Sequence, residues 1–205
     1  MTMRVAFAVL AFACVAAPVA LADGDPASDY LLSQKTFIPY DAKIPAEQAR
    51  ALNGIVADAK RNGYTIRVAV ISRPFDLGAV PSLWRKPKTY ARFLGQELFF
   101  VYKGRLLVVM PNGYGVSKGG KLLAASQKVV DALPNPGNDG GALASAATRA
   151  VRKLAAQEGV HAVVPPPTST SSSSTNDRLI IAAAVGGIAL LILLGMGLRR
   201  VLASR

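Results

Sequence analysis

The sequence predicts an α/β fold in which a small mixed β-sheet is sandwiched by helices, plus one C-terminal transmembrane helix. Three observations carry this reading. Apolar residues at helical spacing alternate with short β-branched runs between residues 40 and 157. Much of the apolar content of the 205-residue chain is terminal. Residues 179–198 contain no charged side chain, a run long enough to cross a hydrocarbon core of about 30 Å. Apolar residues at 51% against 18% charged argue against a disordered chain. A single cysteine, Cys14, and a single histidine, His161, exclude a disulfide framework, a cysteine zinc site and a multi-histidine metal site.

From the N-terminus, Arg4 precedes an apolar run over residues 5–17, followed by Pro18 and Ala20-Leu21-Ala22. That is the pattern of a secretory signal peptide over residues 1–22, cleaved after Ala22. Lipidation at Cys14 is the rival reading, opposed by the bulky Phe12 just before it. Asp23, Asp25 and Asp29 then read as a solvated mature N-terminus. Pro45 opens a helix whose apolar positions Ala49, Leu52, Ile55, Val56 and Ala59 share one face, with Gly63 as its C-terminal cap. Residues 65–71 form a β-branched strand with Ile66, Val68 and Val70 on one face. After a Pro/Gly-rich loop, a second helix starts near Pro87 and carries Tyr90, Phe93, Leu94 and Leu98. Residues 99–102 and Arg105–Met110 read as two strands joined by a Lys103-Gly104 hairpin turn. Residues 111–120 read as a loop, followed by helices over 121–133 and 141–157, the latter capped by Asn138 or Asp139. The order is helix, strand, helix, hairpin, helix, helix, and it predicts one extracytoplasmic domain over residues 23–164.

Residues 165–178 are rich in Pro, Ser and Thr, cannot bury apolar surface and read as a stalk, with O-glycosylation as an added possibility. As a coil it holds the domain roughly 20 Å from the bilayer, and at most about 40 Å when extended. The span 179–198 is bracketed by Arg178 and by Arg199, Arg200 and Arg205, so the positive-inside bias puts the 199–205 tail in the cytoplasm. Small residues at i, i+4, Ala182 with Gly186 and Ala183 with Gly187, are of the kind that pack helices together, though an Ala/Gly-rich span yields such pairs by chance. Setting aside Arg4, Arg178, Arg199, Arg200 and Arg205 leaves 19 of the 24 basic residues against all 12 acids, so the exported part is near +7. Outside a cell that charge favours the lipid bilayer, an anionic polymer or an envelope protein as partner, and no nucleic acid.

Several of these features together resemble the TPM domain family. They are the element order, Arg105 opening the strand Arg105-Leu106-Leu107-Val108-Val109, the segment Asn112-Gly113-Tyr114-Gly115, the segment Asn138-Asp139-Gly140-Gly141 before the last helix, and Asp41 before the first. The resemblance covers residues 40–156, and the chain departs from the pattern where Gln96-Glu97-Leu98 runs almost directly into residue 99 in place of an acidic, glycine-rich loop. It implies an exported domain tethered by a C-terminal transmembrane helix, as in family members associated with photosystem repair and with receptors. It also implies divalent-metal binding and acid phosphatase activity of the kind attached to some members.

Short motifs are poor guides in the glycine-rich segment. Gly115-Val116-Ser117-Lys118-Gly119 fits G-x-S-x-G, but a nucleophile elbow needs its serine on the turn that ends a strand, and His161 lies too close to the stalk to serve as base. Gly115, Gly120 and Lys121 nearly fit a phosphate loop, but Leu122 stands where a magnesium-binding hydroxyl belongs. The carboxylates Asp41, Asp76, Asp131 and Asp139 are the remaining candidate ligands, with Asp41, Asp76 and Asp139 the metal set, and hard oxygen donors of this kind suit calcium or magnesium. Solvated helix-capping acids are the alternative. Trp84, Arg85, Lys86, Lys88 and Arg92 form the densest basic patch around the one tryptophan, and on a tethered domain read as a membrane-surface patch. Asn112, Gly113, Tyr114 and Gly115 read as a binding loop. No credible catalytic set emerges, so the expected function is a non-catalytic, membrane-anchored binding or accessory module of the envelope without a cofactor. A metal-dependent phosphatase, implied by the family resemblance, is the alternative.

Overall fold

A computed structural model of the chain describes residues 24–166. The signal-peptide segment, Cys14, the stalk beyond Pro166, the 179–198 span and the basic tail lie outside these residues. Among the described residues no helix is long and apolar enough to cross a membrane. Five helices and five strands follow in the order α1 (Pro26–Ser33), β1 (Thr36–Phe37), α2 (Ala46–Arg61), β2 (Ile66–Val70), α3 (Pro87–Glu97), β3 (Arg105–Met110), β4 (Gly113–Lys118), β5 (Lys121–Leu122), α4 (Ala124–Asp131) and α5 (Gly140–Gln157). The strands form one sheet in chain order, with β1, β2 and β3 parallel and β4 and β5 antiparallel to their neighbours. The mixed sheet between helices predicted from the sequence is therefore present.

Both faces of the sheet are covered, and alternation along the strands explains how. Ile66, Val68 and Val70 of β2, with Leu107 and Val109 of β3, face α2, α4 and α5. Ala69 and Ile71, with Leu106, Val108 and Met110, face α1 and α3. A strand apolar on both faces suits only a sheet covered on both sides. On the first face α5 presents Ala146, Ala147 and Ala150 toward the core, and these small side chains let it lie close to α2.

Where local chemistry dictates an element, the sequence places it well. Helix α2 ends with the Tyr64 N–H on the Ala59 carbonyl at 2.8 Å and the Gly63 N–H on that of Lys60 at 3.1 Å. Those two bonds are a Schellman stop, and they require the left-handed φ of +93° that Gly63 supplies. Helix α5 is capped by Asp139, whose Oδ2 accepts the Ala142 N–H at 2.8 Å.

Four expectations are corrected. Residues 99–102 are not a strand: their N–H groups close short bonds back onto the end of α3, such as Tyr102 N to Leu98 O at 2.7 Å. The hairpin joins β3 to β4 through Pro111-Asn112, pairing Met110 with Gly113 and Arg105 with Lys118. With β2 on one side of β3 and six-residue β4 on the other, no edge of β3 remains for 99–102. Residues 113–118 are accordingly a buried strand and not a loop, and Lys121–Leu122 is a short strand ahead of α4 rather than helix. Of the N-terminal acids, Asp29 is exposed as expected and Asp23 lies outside the described residues, but Asp25 is not solvated. Pro26 opens α1, which buries Ala27 and Leu31, and Asp25 is 5% exposed.

Glycines at close approaches hold α3 against β4. A Cβ on Gly115 would lie 2.0 Å from the Pro87 carbonyl oxygen and 2.9 Å from the Ala91 Cβ. Gly115→Ala is expected to push α3 off the sheet and cost about 1–3 kcal/mol in urea unfolding.

Asp25 receives a 2.6 Å hydrogen bond from the Tyr90 hydroxyl, while its Oδ2 has no partner among the described residues. Burial pushes its carboxyl up from 3.8 to about 6. The folded chain therefore holds this proton more tightly than the unfolded chain does. The stabilisation is complete below about pH 4 and is lost as pH rises to about 6. The urea midpoint is expected to fall across that window relative to Asp25→Asn, which has no such titration. Parallel curves for the two proteins would show that the carboxyl is not held protonated.

Candidate functional site

The parallel strands β2 and β3 both end at one edge of the sheet, where the start of α3 and the β3–β4 turn meet the end of α4. These elements enclose an open cleft of about 370 Å³ lined by Arg85, Lys86, Lys88, Asn112, Tyr114 and Asp131, among others. Two groups of residues that the sequence singled out separately, the basic patch and the 112–115 segment, thus meet in one place.

Arg85 is bent into the left-handed region, φ +59°, an uncommon conformation for a residue with a side chain. The Asn112 side-chain amide donates to its carbonyl at 2.7 Å, so the β3–β4 turn holds the bend. Lys86 follows as the residue before the first helical turn, with Pro87 at N1. The start of α3 thus adds a helix dipole to the cations around it. Across the cleft, Lys88 Nζ sits 2.8 Å from Asp131 Oδ2. This lysine's hydrogen bond, the largest effect, holds the Asp131 carboxyl below its ordinary range.

Beneath the rim the buried side chain of Gln127 connects strand to helix. Its Oε1 accepts the Val116 N–H at 2.9 Å, and its Nε2 donates to the Tyr114 carbonyl at 3.0 Å and to Asp131 Oδ1 at 2.8 Å. A continuous polar path therefore runs from β4 through Gln127 and Asp131 to Lys88 on α3. The sequence reading missed Gln127 because its spacing on α4 acquires meaning only once β4 is known to be a strand. Tyr114 is 2% exposed and donates its hydroxyl to the Pro134 carbonyl at 2.9 Å, so it forms the back wall of the cleft rather than a free recognition ring. Burial raises its phenol above the ordinary value.

Gly113 also lines the cleft and opens β4 at φ +145°. The other singled-out residues lie elsewhere: Gly115 belongs to β4 and does not line the cleft. Trp84 is half-buried and packs against the core on the α1/α3 side. Arg92 is exposed on α3 and does not line the cleft. Ser117 is fully buried, its hydroxyl donating to the Ala91 carbonyl at 2.5 Å, which is no position for a nucleophile.

The acids do not converge. Among the described residues no three of His, Cys, Asp and Glu come together as a metal-holding group. Asp41, in a 3-10 turn, pairs with the Arg73 guanidinium. Asp76 is buried and accepts from the Ser72 N–H and hydroxyl, both at 2.7 Å, and from the Arg73 N–H at 2.9 Å. Asp139 caps α5, and its neighbour Gly140 presses on the 3-10 turn, where a Cβ would lie 2.0 Å from the Ala42 carbonyl oxygen. Arg73 thus serves Asp41 through its guanidinium and Asp76 through its backbone N–H, and each acid has a backbone or ion-pair task of its own. Among the described residues these acids therefore form no common donor group. Asp139→Ala is expected to cost about 1 kcal/mol through the lost cap, and by the same amount with and without millimolar calcium in thermal melts. A calcium-dependent stabilisation abolished by that substitution would restore the metal reading.

No family model, no curated protein sequence and no solved structure matches the chain.

Proposed function

We propose that this protein is a membrane-anchored extracytoplasmic module of the envelope, without catalysis of its own, that seats an anionic group of an envelope polymer in the cleft at the start of α3. The observation that supports this reading is the clustering of Arg85, Lys86 and Lys88 around one cleft floored by uncharged Asn112 and Tyr114. Among the described residues Arg85 and Lys86 form no ion pair, whereas Lys88 is held by Asp131. A phosphodiester or carboxylate approaching the cleft meets two available cations and the positive end of a helix. The pattern of an export signal and of a charge-free 20-residue span bracketed by arginines supports the tether and its orientation, C-terminus inside. The TPM resemblance points to the same arrangement.

The cleft is tested by titrating the chain with a poly(glycerol phosphate) oligomer, with neutral dextran as control. Arg85→Ala combined with Lys86→Ala is expected to weaken binding about tenfold, ~1.4 kcal/mol, and to flatten its salt dependence. Gln127→Ala, by loosening the floor, is expected to weaken binding and also to lower the melting temperature. Equal affinity of wild type and the Arg85/Lys86 variant would remove the cleft as the site. Protease accessibility of the domain on intact cells checks the orientation, and protection there would overturn it.

A further inference from the structure

The end of α3 opposite the cleft carries an exposed apolar surface that neither the cleft nor the cores use. Phe99 is 40%, Phe100 94% and Val101 62% exposed, three consecutive apolar residues at the tip of one turn. Isolated exposed apolar side chains are ordinary, but a contiguous aromatic cluster ringed by charge marks a docking surface. The cluster is organised: the Phe99 and Phe100 rings meet edge to face with centroids 6.1 Å apart, and Lys103 Nζ sits 4.6 Å over the Phe99 ring. The β4–β5 turn packs beside it, since a Cβ on Gly119 would lie 3.6 Å from the Phe99 ring and 4.0 Å from the Lys103 carbonyl oxygen. That turn is flanked by Lys118 and Lys121, both exposed. Of the nearby acids, Glu158 is engaged by Arg105 at 3.0 Å and Glu97 stands on the last turn of α3. The tip therefore joins an apolar wedge to a net positive rim.

We propose that this tip, residues 99–101 with Lys103, Lys118 and Lys121, docks on an anionic bilayer surface, the phenylalanines entering the headgroup boundary while the lysines remain at the phosphates. The net positive rim complements an anionic bilayer surface, and apolar aromatics beside lysines with apolar stems and charged heads are the composition that such an interface favours. The shape agrees. The turn projects from the sheet edge where β2 and β3 begin, and its local backbone bonds leave the apolar side chains outward. Each lysine is worth about fivefold in partition onto an anionic surface, so the three together outweigh the single acid Glu97. The inference rests on the tethered reading of the chain, which keeps the domain within reach of a bilayer.

The test uses the full-length chain carrying Cys14→Ser, reconstituted into vesicles, with a spin label at Phe100→Cys and, as control, at Phe75→Cys, an exposed position beyond the other end of β2. In vesicles rich in phosphatidylglycerol, the label at 100 is expected to be accessible to oxygen and shielded from a water-soluble nickel relaxant. The label at 75 is expected to show the reverse. Neutral phosphatidylcholine vesicles, or Lys103→Glu with Lys118→Glu and Lys121→Glu, are expected to return the label at 100 to water while the circular dichroism spectrum stays unchanged. A label at 100 that reads water in anionic vesicles overturns the proposal, and so does dipolar broadening between labels, which would place a second copy on the tip. Release of the chain by alkaline carbonate overturns the tether instead, a failure separate from that of the tip.

Discussion

Everything in this domain depends on the burial of β3 on both of its faces. Leu107 and Val109 are buried against α2, α4 and α5, and Leu106, Val108 and Met110 against α1 and α3. A strand of that kind is stable only at the centre of a sheet covered on both sides, because either face left in water would forfeit about 25 cal/mol for each Å² of apolar surface. Five of its six positions are paired with β2 on one side and all six with β4 on the other, so no stretch remains for a third partner. That saturation forces residues 99–102 out of the sheet and into an exposed turn.

The same constraint builds the cleft. For β4 to sit beside β3, α3 must cover it, and the small residues along β4 allow a close approach. Gly115 touches the Pro87 carbonyl, and the Ser117 hydroxyl satisfies the Ala91 carbonyl within α3. Fixing α3 in this way fixes its first turn, and the bend at Arg85, held by Asn112, then presents the cations beside the β3–β4 turn. Gln127 completes the arrangement by satisfying the buried backbone N–H of Val116 and the carbonyl of Tyr114 on β4. Those groups would otherwise be unpaired, a loss of about 1–3 kcal/mol each. Fold and candidate site therefore share residues, and substitutions at Gln127 or Gly115 act on both.

The two ends of α3 differ in chemistry. Its N-terminal end combines a helix dipole with Arg85, Lys86 and Lys88 in a concave setting. Its C-terminal end runs into a convex apolar tip with lysines around it. Trp84, the residue that by composition alone marks a membrane-facing aromatic, is instead packed against the core. The exposed aromatics of that tip are Phe99 and Phe100, which the sequence pattern assigns to a strand.

Local signals in the sequence by themselves determined much of this protein. Pro45 and Gly63 bound α2 in chain order because each satisfies or replaces backbone groups within a few residues of itself, and Asp139 does the same for α5. The apolar periodicity of α2, β2 and α3 likewise reports which face is buried. Pairing is different. Phe99 to Val101 and the Gly113-Tyr114-Gly115 segment have opposite intrinsic tendencies, yet the second is the strand and the first the exposed tip, because only tertiary contact decides which segment occupies the one free side of β3. The glycines of β4 did hold a usable sign, since glycine within a strand often marks a neighbouring backbone at close range. Asp25-Pro26 likewise held the start of α1, but the burial of Asp25 against Tyr90 follows only from where α3 lies. The meeting of the basic patch with Asn112 and Tyr114 is a property of the packed sheet, for no local rule links residues that a strand pairing brings together across the chain.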